Sequence, residues 1–257
     1  MRNCIIVIDP QKDFCSPTGS LFVNGAPEDI TRISNFIKKN TETIDNIIVS
    51  LDWHQPFSIF HPSFWTDENG NQPAVFTAIT LADVKAGKYV PAIAPVTVET
   101  YLEELEQSGE YLHLIWPEHC IAGSDGASIV PELQEAINEW SRTGKEYTTV
   151  LKGKHILTEF FGIFKAQVAL PGVPSTDWNL ELINSLNKYD NIYITGEAKS
   201  HCVAQTVKQL FEYPDVRKKL VILEDCMSNV QGFEHIADPT WEAAKSLGIK
   251  FAKSTDL

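Results

Sequence analysis

The chain has 257 residues, 43% of them apolar, enough to bury the core of one large α/β domain. Its 34 acidic against 21 basic side chains give a formal charge of −13, which argues against nucleic acid or an anionic membrane as a partner. Five cysteines, an odd number with no C-x-x-C pair, argue against a disulfide framework or a Cys-rich zinc site and point to a reducing cytoplasm.

The first apolar run, Cys4 to Ile8, reads as a central strand buried on both faces. It is too short for a leader or a membrane span. It delivers Asp9-Pro10-Gln11-Lys12-Asp13-Phe14. Apolar residues at Ile30, Ile33, Phe36 and Ile37 predict a helix over 28–40. Asn46 to Leu51 is a second strand and delivers Asp52-Trp53-His54, with His61 in the loop beyond. From Thr66 to Gln107 the pattern loosens, with a helical turn near 81–88 and a helix near 99–106. A stretch this long between strands reads as an insertion, here a lid or an oligomer contact.

Tyr111 to Ile115 reads as a third strand, ending in Trp116-Pro117-Glu118-His119-Cys120, and a helix over 131–141 follows. Glu146 to Leu151 is a strand that delivers Lys152-Gly153. A second irregular patch spans 155–174, and a helix 177–189. Asn191 to Thr195 is the next strand; it breaks at Gly196, and a helix opens at Cys202. Leu220 to Leu223 is the last strand and 239–247 the last helix. Strand and helix alternate without repeats or linkers. This predicts one domain, residues 1–257, built on a doubly wound parallel sheet, with the insertion at about 66–107.

Strand ends in such a sheet converge on one edge, where ligands bind. Here they bring Asp9, Asp52 with His54, Trp116 with His119, Lys152 and Cys202. Each has a bland explanation alone; together they do not. One carboxylate and two imidazoles, Asp52, His54 and His119, suit Zn, Fe or Mn, and His61 is a further candidate ligand. Cys202 beside Asp9 and Lys152 has the parts of an activated nucleophile, and a helix N-terminus there would favour the thiolate. Phe14 and Trp116 would supply flat walls for a planar substrate. A dinucleotide oxidoreductase lacks its Gly-x-Gly-x-x-Gly after Ile8. A phosphohydrolase lacks a second Asp, since Gln11 stands there.

The motifs Asp9-x-Gln11-x-Asp13-Phe14, Asp52-Trp53-His54, Trp116-Pro117-x-His119-Cys120, Lys152-Gly153 and Gly196-x-Ala198-x-x-His201-Cys202-Val203-x-x-Thr206 occur in this order. In this the chain resembles the nicotinamidase branch of the isochorismatase-like cysteine hydrolases. The resemblance implies a three-layer fold around a six-stranded parallel sheet. It implies Cys202 as nucleophile, Asp9 as general base and Lys152 as third member of a triad. The oxyanion hole would be the N–H groups of Ala198 and Cys202, shaped by a cis peptide at Glu197-Ala198. The metal, Zn first with Fe or Mn as alternatives, would sit on Asp52, His54 and His119. The loop Gln55 to Pro62 departs from the family pattern, having no acid and a longer gap before His61. The expected activity is hydrolysis of a small amide through a thioester, releasing ammonia, by a cytoplasmic homo-oligomer. The alternatives are another small amide or ureido substrate, or a catalytically retired binding protein on the same fold.

Overall fold

The computed structural model describes all residues from Met1 to Leu257. In chain order the elements are β1 (Asn3–Ile8), α1 (Lys12–Cys15), α2 (Ala26–Lys39), β2 (Ile44–Asp52), β3 (Trp65–Asp67), α3 (Leu81–Lys85), β4 (Tyr89–Pro91), α4 (Pro95–Ser108), α5 (Pro131–Ser141) and β5 (Thr148–Lys152). The second half holds α6 (Leu180–Ser185), β6 (Asn191–Gly196), α7 (Ala204–Gln209), α8 (Pro214–Arg217), β7 (Leu220–Leu223), α9 (Asp238–Ser246) and β8 (Lys250–Ala252). Six strands form one parallel sheet in the order β5-β2-β1-β6-β7-β8. No helix is long and apolar enough to cross a membrane.

β1 is central because its side chains from Cys4 to Ile8 are fully buried, as the continuous apolar run requires. α2 lays Ile30, Ile33, Phe36 and Ile37 onto the core, with Glu28 and Asp29 in its first turn and Lys38 and Lys39 in its last, matching its dipole. The chain builds outward from β1 through β2 to β5, then returns to β1's other side with β6. The strand order therefore switches between β1 and β6, and a crevice opens at their carboxyl ends.

One predicted strand is corrected. Residues 111–115 are extended, with Tyr111, His113 and Ile115 buried in alternation, yet they lie outside the sheet. Their partners lie in the segment 77–79: Ile79 N–H donates to His113 O (3.0 Å) and Ile115 N–H to Thr77 O (2.9 Å). The sixth strand of the sheet is instead β8 at the chain's end, paired with β7. Between residues 65 and 108, β3 and β4 form an antiparallel pair, and α4 buries Val98, Tyr101, Leu102 and Leu105.

Candidate active site

Four strand ends meet at one ammonium group. Asp52 ends β2 and Lys152 ends β5, directly opposite in register. Lys152 Nζ lies 2.6 Å from Asp52 Oδ1, 2.8 Å from Asp9 Oδ2 and 3.5 Å from Cys202 Sγ, and it donates to Phe160 O at 2.9 Å. Asp9, just past β1, takes a left-handed backbone (φ 44°). Its other oxygen accepts from Ser50 Oγ at 2.6 Å. All four groups are buried.

Burial alone would lower the Lys152 pKa, but Asp52 and Asp9 hold it well above its ordinary value. Burial works against ionised Asp52 too, yet Lys152 and then His54 hold its pKa below the usual range. For Asp9 burial prevails over Lys152, and the pKa is pushed up to about 6. The Cys202 thiol is pushed well above its usual value, first by burial and then by Asp9 and Asp52, with Lys152 opposing. A helix N-terminus would favour the thiolate; here burial and the two carboxylates oppose it. Cys202 lies inside a π-helical turn, Lys199–Val203, ahead of the six-residue α7, and two carboxylates face it.

Gly196 ends β6, and the following Glu197-Ala198 peptide is cis, as the resemblance implies. The Ala198 N–H makes no hydrogen bond within the protein. Ala198 and Cys202 line a pocket with Phe14, Trp116 and Phe161 as flat walls. Asp52, His119 and Glu159 form its polar end.

At that end three imidazoles gather. The Nδ1 atoms of His54, His61 and His119 lie 3.0, 3.0 and 2.8 Å from the carbonyls of Gly153, Pro56 and Pro117. A carbonyl only accepts, so each Nδ1 carries a hydrogen, and in the neutral ring Nε2 presents a lone pair; burial opposes charge on His54, but Asp52 raises its pKa. Donor atoms of Asp52, His54 and His119 all lie within 4.8 Å of one another. The His61 ring is 5.9 Å from that of His54 and 5.7 Å from that of His119, and its buried Nε2 has no partner. Burial, with His54 adding, lowers the pKa of His119 to about 3 and of His61 to about 4, so both rings are neutral at pH 7. Lone pairs turned inward, Nδ1 tied to carbonyls and a carboxylate beside them make a donor set that fits a divalent cation. Gly153 belongs to this arrangement: at φ +69° any side chain would run into the His54 ring.

All the site residues expected from the sequence are thus brought to one region. Three others carry no sequence expectation of a role. Gln11 is fully buried, and its amide donates to Asp52 O (2.7 Å) and Ala127 O (3.0 Å) and accepts from Asp52 N–H (2.7 Å). A side-chain amide thereby holds the last residue of β2 where β1 has already ended. Asp13 accepts from the Cys120 N–H at 2.7 Å and so ties down the loop that carries His119. Both stand in the motif that begins at Asp9, but their partners are distant in sequence. Glu159 is buried and pushed by burial to about 7. It lies in the irregular patch 155–174, where periodicity carries no signal.

No protein-family model matches the chain. It is 26% identical over 208 residues to the nicotinamidase of Saccharomyces cerevisiae, covering 79% of this chain and 78% of that protein. It is 27% identical over 206 residues to the nicotinamidase of Acinetobacter baylyi, covering 80% of this chain and 73% of that protein. The crystal structure of the yeast nicotinamidase bound to the inhibitor nicotinaldehyde superposes with a TM-score of 0.68 at 20% identity, over 98% of this chain and 99% of that one. The pyrazinamidase of Pyrococcus horikoshii in complex with zinc superposes with a TM-score of 0.58 at 20% identity, over 98% of each chain. The chain is thus similar in sequence to two nicotinamidases and shares its fold with solved nicotinamidases and pyrazinamidases.

Proposed function

We propose that the protein is an amidohydrolase that cleaves the carboxamide of a small flat ring compound such as nicotinamide, through a thioester on Cys202. The observation that carries this is Lys152 Nζ seated between Asp9, Asp52 and Cys202 Sγ at an aromatic-walled pocket. Asp9, ionised above about pH 6, accepts the thiol proton as sulfur attacks the carbonyl carbon. The developing alkoxide is met by the N–H groups of Ala198 and Cys202. Asp9 returns its proton to the leaving nitrogen, the C–N bond breaks and ammonia departs. Water, deprotonated by Asp9, then attacks the thioester, and the carboxylic acid and the thiol are released. Lys152 keeps both carboxylates charged in a buried site and steadies negative charge on sulfur.

Asp52, His54 and His119 would hold a divalent metal, with His61 a further candidate, and zinc suits this nitrogen and oxygen set. When bound, it supplies a Lewis acid at the polar end of the pocket for a ring nitrogen or ordered water of the substrate complex. Five buried cysteines, none in a disulfide, suit a reducing cytoplasm. The insertion is the natural place for contact between copies in a homo-oligomer.

The test is ammonia release from nicotinamide by the wild type and by Cys202→Ala. We expect turnover in the first and loss of at least about 10⁴-fold in the second, with an unchanged circular dichroism spectrum. Near-wild-type turnover by Cys202→Ala would overturn the covalent mechanism.

A further inference from the structure

Two acids are buried together outside the pocket, at the start of the turn that carries Ala198 and Cys202. They are Glu197 and, in the first turn of α2, Asp29. Ser228 joins them: its N–H donates to Glu197 Oε2 (3.2 Å) and its hydroxyl to Asp29 Oδ2 (2.5 Å). The two carboxyl groups are also within hydrogen-bonding reach of each other. Arg32 Nη2 donates to Asp29 Oδ1 at 2.7 Å. Both Asp29 oxygens therefore accept, which marks Asp29 as the carboxylate. Glu197 Oε1 is buried, and no donor of the protein reaches it. Ionised, that oxygen would be neither solvated nor paired; as a carboxylic O–H it donates to Asp29. Burial, with the Asp29 charge adding, raises the Glu197 pKa well above its ordinary value.

The segment that meets this pair also holds the turn. Gly196 N–H donates to Cys226 O (3.1 Å), Lys199 N–H to Ser228 O (2.7 Å) and Val230 N–H to Ser200 Oγ (3.0 Å). Ser228 thus grips the turn with its carbonyl and the acids with its N–H and hydroxyl. We infer that Glu197 is a neutral acid donating its proton to Asp29, and that the pair positions the Ala198 N–H of the oxyanion hole by fixing the segment 226–230. This rests on the amidase reading and adds to it a positioning residue outside the pocket. The other titratable or charged groups near the pair are Arg32 on α2, Cys15 at the end of α1, Asp9 after β1, and Asp225 and Cys226 after β7. Burial holds both thiols above their ordinary range, Cys226 at about 12, so neither supplies a competing charge near neutral pH. Ionising Glu197 would set two buried carboxylates against each other.

The first test needs no substrate. Denaturant unfolding is followed against pH for the wild type and Glu197→Gln. The folded-state pKa of Glu197 lies above the ordinary 4.5, so its stabilising contribution is complete below that value and is lost as the pH rises. Glu197→Gln keeps a donor for Asp29 and an acceptor for the Ser228 N–H, and it cannot ionise. Its folding equilibrium constant should gain on the wild type by about tenfold per pH unit from about pH 5 upward. A difference that stays level up to pH 9 overturns the neutral acid. The second test is ammonia release from nicotinamide and pyrazinamide. Glu197→Leu should lower kcat by about 10²-fold with KM changed less than about threefold, as for a lost oxyanion donor. Glu197→Gln should recover most of that kcat and hold it further into alkaline pH than the wild type. A loss in Glu197→Leu that falls on KM, or that Glu197→Gln fails to recover, overturns the positioning role. A wild type that releases no ammonia, while the stability difference rises with pH, overturns the amidase reading and the positioning role and leaves the acid pair standing.

Discussion

Two polar clusters share Asp52 and differ in how their charges are compensated. Around Lys152, one ammonium stands against two carboxylates, all buried, and every group has a protein partner within 3.5 Å. Around His54, His61 and His119, the outer Nδ1 atoms are satisfied by carbonyls while the inner Nε2 atoms converge with only Asp52 for company. The first cluster is electrostatically closed by the chain itself. The second is a donor set that could hold a metal ion. The proposed mechanism assigns proton transfer to the closed cluster and ligand positioning to the open one. Asp52 joins them, because its carboxylate lies 2.6 Å from Lys152 and 3.5 Å from His54 Nε2.

The largest effect should come from opening the closed cluster. Lys152→Met leaves two carboxylates buried without their cation, which costs about 3–5 kcal/mol of stability and removes turnover. Denaturant unfolding and ammonia release check both. A variant as stable as the wild type would mean that Asp9 and Asp52 are not held by Lys152.

Emptying the open cluster should separate binding from chemistry. Chelation, or His54→Ala, should lower kcat/KM for nicotinamide by about 10²-fold or more. Alkylation of Cys202 by iodoacetamide should be unchanged, since the thiol has its own base. If alkylation slows in parallel, the two clusters are one machine and the division fails.

Gln11→Leu sharpens the comparison, because it touches neither the thiol nor an imidazole. It frees the Asp52 backbone and should weaken zinc affinity about tenfold in a competitive chelator titration. It should leave Cys202 alkylation intact. Unchanged zinc affinity would mean that β2 holds Asp52 without the amide.

Acid should act on the closed cluster first. Asp9 must be ionised to accept a proton, and its pKa is raised by burial to about 6. kcat/KM should therefore be level above about pH 6 and fall tenfold per pH unit below it. The stability contribution of Asp9 has the opposite sign. Its folded-state pKa lies above the ordinary 3.8, so the contribution is complete below that value and is lost as the pH rises through about 6. A profile level to pH 4.5 would remove Asp9 from the proton transfer.

The amino-acid sequence alone determined the central strands and the polar residues at their ends. Cys4–Ile8 is buried on both faces, and in Asn191–Thr195 Ile192, Ile194 and Thr195 are buried with Asn191 and Tyr193 half-buried; such strands read as mainly apolar runs. The strand ends then bring Asp9, Asp52, Lys152 and Cys202 to one edge by topology alone. Local signals also sufficed for α2 and α5, whose apolar residues recur at the helical period. The third strand, by contrast, was decided by tertiary pairing. Residues 111–115 have a strand's alternation, but the segment 77–79 claimed their hydrogen bonds, while the three residues of β8, with little pattern of their own, were recruited by β7. The protonation of Cys202 was likewise beyond local reading. Position at a turn favours a thiolate, but burial against Asp9 and Asp52 outweighs it, and burial is a property of the assembled fold. Gln11, Glu159 and the pairing of Glu197 with Asp29 carry no signature in the chain, because a side chain's hydrogen-bond partners are set by distant segments that only folding brings within 3 Å.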